Sequence, residues 1–169
     1  MSVTIALIPL AIAAATFIAG GGIVAGSTSR TKSGGAAGKP QPHTTTAAVR
    51  TRMKDLGLLE AALGDIHATD LQRDGDVLNA SVDGLALSMT RDSDGIWQAH
   101  FTAEHLSDEE LIEAGTSIIG SLDTAYAARV QAAVASRIRE RADAAGFELT
   151  SESVEDDTVT MVLTVRDGS

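Results

Sequence analysis

The sequence predicts an α+β protein. An antiparallel sheet of about five strands, a three-strand meander plus a C-terminal hairpin, carries helices on one face, and an apolar helix precedes it. Three observations lead there. The apolar period drops from 3.6 to 2 at Gly146. Short alternating runs between Val77 and Ala103 are separated by Asp-Gly turns. Val3 to Gly26 holds no ionisable side chain.

That first stretch, taken as a helix, spans roughly 36 Å, enough for a hydrocarbon core of about 30 Å. Pro9 falls in its second turn and bends it. The glycines at 20–22 loosen its far end, although glycine is commoner in membrane helices than in soluble ones. A cleaved secretory signal begins with a basic region, and none precedes this run. Residues 1–26 are therefore expected to form a transmembrane anchor, with the membrane as partner through residues 3–26. Arg30, Lys32 and Lys39 follow the span and nothing basic precedes it. The positive-inside rule then makes the chain a single-pass membrane protein with its C-terminal domain in the cytoplasm. Residues 27–46, rich in Gly, Ser, Thr and Ala with two prolines, are a flexible linker.

Residues 47–169 are the compact acidic α+β domain. Val49, Met53, Leu56, Leu59, Leu63 and Ile66 fit one face of a helix from Ala47 to Ile66, with Thr46 as its cap and Gly64 near its end. His67 is expected at the surface, because no second ligand sits at helical spacing. Three strands follow. Val77, Ala80 and Val82 mark the first; Leu85, Leu87 and Met89 the second; Trp97, Ala99, Phe101 and Ala103 the third. Asp83-Gly84 is a hairpin signal, and Asp92-Ser93-Asp94-Gly95 is the next turn.

Ser107-Asp108-Glu109-Glu110 matches a capping box, in which the serine oxygen and the glutamate each satisfy a helix-end N–H. Leu111, Ile112, Ile118 and Ile119 continue that helix. Gly115 and Gly120 suggest a kink or break before a long helix near Ser121. Leu122, Tyr126, Val130, Ala133, Val134 and Ile138 share one face of the long helix. Arginines crowd its last third, opposing the partial negative charge there, and Gly146 is its C′ stop. Phe147 and Leu149 then alternate, Glu155-Asp156-Asp157 turns, and Val159, Met161, Leu163 and Val165 alternate again.

The chain has 169 residues and no cysteine, which removes disulfides, thiolate metal sites and a cysteine nucleophile. The first 46 residues hold three basic side chains and no acid. The remaining ten Lys and Arg and all 23 Asp and Glu fall in residues 47–169, a balance of −13. An acidic body repels a phosphate backbone and aromatics are few, so no nucleic-acid partner is expected.

Aligning Gly95 with the sixth position of a calcium loop puts Thr90 first and Phe101 twelfth, where acids are required. Acids at 155–157 lie in a solvated turn rather than a cleft. No phosphate loop and no nucleophile elbow occur. No catalytic, cofactor-binding or metal residue is assigned, and no cofactor is expected. The one polar constellation with chemical potential is His100 and His105 with Glu109; His100 falls on the face opposite Trp97 and Phe101, and His105 lies beyond the strand, near Glu104 and Asp108. Its spacing matches no ligand motif.

The order of elements resembles a small domain family of unknown function that includes a hypothetical protein of cyanobacteria and algal plastids. The resemblance covers roughly residues 49–165. It rests on Met53-Lys54-Asp55, on Leu58-Leu59-Glu60-Ala61-Ala62-Leu63, and on Leu85-Ala86-Leu87 before Asp94-Gly95-Ile96-Trp97. Tyr126-Ala127 and Gly146-Phe147-Glu148-Leu149 complete it. It implies the fold and carries over no catalytic residue. The expected function is a membrane-tethered, non-catalytic protein-interaction or adaptor module with a protein partner. The alternative is a small-ligand binder or hydrolytic enzyme at His100 and His105.

Overall fold

A computed structural model describes residues 2–8, 17–18, 45–155 and 157–166. The elements run β1 (Ser2–Leu7), β2 (Phe17–Ile18), β3 (Thr45–Arg50), α1 (Leu56–Asp65), β4 (Thr69–Asp74), β5 (Val77–Val82), β6 (Leu85–Arg91), β7 (Trp97–Ala103), α2 (Asp108–Ala144), β8 (Phe147–Glu155) and β9 (Thr158–Val165). The fold is α+β with antiparallel sheets. Instead of one sheet of about five strands there are two. One has the order β1-β9-β8 and the other β2-β3-β7-β6-β5-β4. The C-terminal hairpin pairs with β1 and not with the meander.

The chain divides into two compact units. Among described residues the first holds 2–8, 53–68 and 119–166, and the second holds 17–18, 45–52 and 69–118.

In the first unit, β9 is central. Val159, Met161 and Leu163 are buried, and their partners across β1 are Leu7, Ile5 and Val3. Ala135 of α2 joins Val159 and Met161, with Leu7, Ile138 and Leu149 packed around them. Gln131 ties the end of β1 and the β8–β9 turn to α2: its Nε2 donates to Leu7 O at 2.8 Å and to Asp157 O at 2.5 Å. Of the expected stripe on α2, Leu122 is buried and Tyr126, Val130 and Ile138 are half-buried, but Ala133 and Val134 face solvent and Ala135 and Ala142 are buried instead. Gly146, at φ 78°, stops the helix as expected.

Strand β1 stands where the sequence predicts the first turns of an apolar helix. Residues 4–7 alternate in depth because Ile5 and Leu7 share a face with the β9 core residues, while Val3 on the same face is exposed. Apart from residues 2–8 and 17–18, the span and the expected linker up to residue 44 lie outside the described residues. Among described residues no helix is long and apolar enough to cross a membrane.

The helix expected from Ala47 to Ile66 is a strand followed by a shorter helix. β3 pairs with β7, so Ala47 and Val49 face the core opposite Phe101 and Ala99. The cap of α1 is Asp55, not Thr46: its side chain accepts the Leu58 N–H at 2.9 Å. α1 is held at both ends by α2. The Tyr126 hydroxyl accepts the N–H groups of Lys54 (3.2 Å) and Asp55 (3.0 Å). Arg129 binds Asp65 with two parallel bonds, Nε to Oδ2 at 2.7 Å and Nη2 to Oδ1 at 2.5 Å.

In the second unit, Leu78, Ala80, Val82, Leu85, Leu87, Met89, Trp97, Ala99 and Phe101 form one buried sheet face. A fully buried Leu or Phe there contributes about 1.5–3 kcal/mol. Asp83 (φ 51°) and Gly84 (φ 79°) make the β5–β6 hairpin turn that Asp-Gly signals. Leu111 and Ile118 of α2 are buried. Between them a Cβ on Gly115 would lie 3.0 Å from Phe101 Cδ2. Gly115 therefore lets the helix approach the sheet, and α2 runs unbroken from Asp108 to Ala144.

Candidate functional site

Antiparallel strands that pack one face leave the other to solvent. In the second unit that outer face is built by register. Thr46, Ala48 and Arg50 of β3 lie opposite Thr102, His100 and Gln98 of β7. These lie opposite Ala86, Ser88 and Thr90 of β6, and Ser81, Asn79 and Val77 follow on β5. Most are half-buried and none is fully buried. Arg50 is the one residue of the twelve with a permanent charge.

His100 sits near the centre of this face, between Ala48 and Ser88. Its Nε2 lies 3.5 Å from Thr90 Oγ1, a long contact. His105 is exposed in the bend after β7, and Glu109 is exposed in the first turn of α2. Among described residues no three His, Asp or Glu side chains converge to hold a metal. The sheet places His100 on the outer face, as the alternation predicts, but it does not gather the constellation drawn around it.

At one corner of the face, the Asp92 carboxylate is already engaged. Oδ1 accepts the N–H groups of Asp94 and Ile96, both at 2.9 Å, and Oδ2 accepts Gln98 Nε2 at 3.2 Å. Arg50 Nη2 is 4.0 Å away. The Ile96 N–H, with Gln98, Asp94 and Arg50 adding to it, holds the carboxyl below its usual range. An aspartate that organises its own turn in this way has its lone pairs directed inward. It stiffens the β6–β7 connection and keeps Gln98 in place.

The acids at 155–157 behave as expected of a turn. Glu155 and Asp157 are exposed, Asp157 takes φ 59°, and Asp156 lies outside the described residues. His67 is exposed, as expected, at φ 60° just past α1.

The part of the outer face built by β6 and β7 is legible in the sequence. Ala86, Ser88, Thr90, Gln98, His100 and Thr102 are the alternate positions of the strands whose apolar half marks the core. The pairing of β3 with β7, made across a long stretch of chain, carries the face beyond the meander. Comparison with family models, with curated proteins and with solved structures finds no match for this chain.

Proposed function

We propose that the chain is a non-catalytic protein-interaction module that docks a protein partner on the outer face of the β3-β7-β6-β5 sheet. One observation carries this reading. Residues 47–169 have 33 charged side chains, yet the twelve outer positions of these strands have one, Arg50. Depletion of charge is the compositional mark of an interface core. The exposed hydroxyl, amide and imidazole groups supply hydrogen bonds around small side chains that let a partner approach closely.

Membrane attachment is part of the same proposal, in a restricted form. β1 engages residues 2–7 in six register pairs with β9. Lipid contact therefore falls to the apolar residues that follow it, and the full span from residue 3 would require β1 to leave the sheet.

The test is affinity capture from solubilised membranes with the wild-type chain and with Ser88→Glu/Thr102→Glu. A partner recovered by the wild type and lost with the variant supports the reading. Equal recovery by both places docking elsewhere. Recovery of nothing, with the chain wholly in the soluble fraction, removes it. Replacing His100 and His105 by alanine separates this module from a hydrolase or small-ligand binder, since only the latter loses its activity or ligand while staying folded.

A further inference from the structure

We infer that β1 is a pairing edge for a second copy of this chain, joining two three-stranded sheets into one six-stranded antiparallel sheet of order β8-β9-β1-β1-β9-β8. This inference does not rest on the docking face proposed above, which belongs to the other unit.

An edge strand exposes a row of unused N–H and C=O groups, and proteins blunt such edges with charges and bulges. Two described edges are treated in that way. β4 carries Asp70, Arg73 and Asp74, shifts register between Thr69 and Gln72, and holds Asp70 at φ 52°. β8 carries Glu148, Glu152 and Glu155 and shifts register between Leu149 and Ser151. β1 is the contrasting edge. Among the described residues it ends the order β1-β9-β8, pairs with β9 without a shift, and has neither charge, glycine nor proline. Val3, on its core-facing side, is still 47% exposed.

The occupant follows from symmetry and charge. Opposed residues in an antiparallel pair point to the same side of the sheet. Two copies of β1 therefore match face to face when the two-fold axis passes through a residue rather than between residues. An axis at Thr4 sets Val3 opposite Ile5 on the core side, and Ser2 opposite Ala6 on the outer side. Thr4 then meets its own copy. In a chain of net charge −10, this neutral strand is where two copies meet without opposing carboxylates.

Sedimentation velocity of the full chain in mild detergent, over a concentration series, tests this. The wild type is expected to pass from monomer to dimer. Thr4→Lys and Thr4→Asp, each alone, set like charges opposite each other at the axis and are expected to stay monomeric. Far-UV circular dichroism is expected to be unchanged in both. Mixing the two variants is expected to restore the dimer. If Thr4→Lys unfolds the chain, Ser2→Lys/Ala6→Lys and Ser2→Asp/Ala6→Asp take its place: each sets like charges opposite each other across the axis, and mixing the two pairs lysine with aspartate. A wild type that stays monomeric, a Thr4→Lys chain that dimerises like the wild type, or a mixture that remains monomeric would each overturn the inference.

Discussion

Two glycines of α2 look alike in sequence and differ in what surrounds them. A Cβ on Gly115 would meet the Phe101 ring at 3.0 Å, whereas one on Gly120 would meet nothing within 4 Å. Replacing a mid-helix glycine by alanine gains about 1 kcal/mol of helix propensity. At Gly120 that gain is expected in full, as a raised midpoint of chemical denaturation. At Gly115 the ring is fully buried, and overpacking costs about 1–3 kcal/mol, so Gly115→Ala is expected to lower the midpoint. Tyr126 is a second residue with a defined task. Its hydroxyl accepts two backbone N–H groups just ahead of α1. Tyr126→Phe keeps the ring and removes the acceptor, with an expected loss of about 1 kcal/mol. Hydrogen exchange would show faster exchange at Lys54 and Asp55 and little change at Met161.

At the scale of elements, those legible in the sequence are the ones whose local chemistry agrees with their tertiary role. The start of α2 is the clearest case. Ser107 Oγ accepts the Glu110 N–H at 3.3 Å, and Glu110 Oε2 takes the Ser107 N–H at 2.9 Å and its hydroxyl at 2.7 Å, as the capping box predicts. Ser107→Ala is expected to cost about 1 kcal/mol and to fray the first turn, visible as increased exchange at residues 108–111. Where sequence and structure part, the local signals conflict. Ser2-Val3-Thr4-Ile5-Ala6-Leu7 alternates with period 2, but it opens a longer uncharged run that also fits a helix. Val49 and Met53 of the β3 region fit a helical step as well, while the cap that starts α1 is Asp55. β4 is exposed along its whole length, so it buries no face that a pattern of apolar residues could mark. The outer sheet face was half legible: its residues were on the page, but the neighbour that completes it is set by long-range pairing.

For the whole molecule, acid stability draws on both units. In the first, hydrogen bonds from Arg129 and Arg139 hold the Asp65 and Glu152 carboxyls below their ordinary range. In the second, the backbone N–H groups of Ile96 and Ser107 do the same for Asp92 and Glu110. All four are depressed in the folded chain, so each binds its proton more readily when the chain is unfolded. Their contribution is therefore fully present above the ordinary carboxylate range and is lost as pH falls through the lower folded values. The melting temperature is expected to stay level from neutral pH down to that range and to fall below it. All four lie at or near the surface, where solvent screens them, so the individual effects are modest. Asp92→Asn with Glu110→Gln is expected to lower the melting temperature at neutral pH and to flatten part of the acid limb, because the variant has less to lose on protonation. Asp65→Asn with Glu152→Gln is expected to do the same through the first unit. Melting curves that fall equally steeply in acid for both double variants and the wild type would assign acid unfolding to general charge accumulation instead of these four carboxylates.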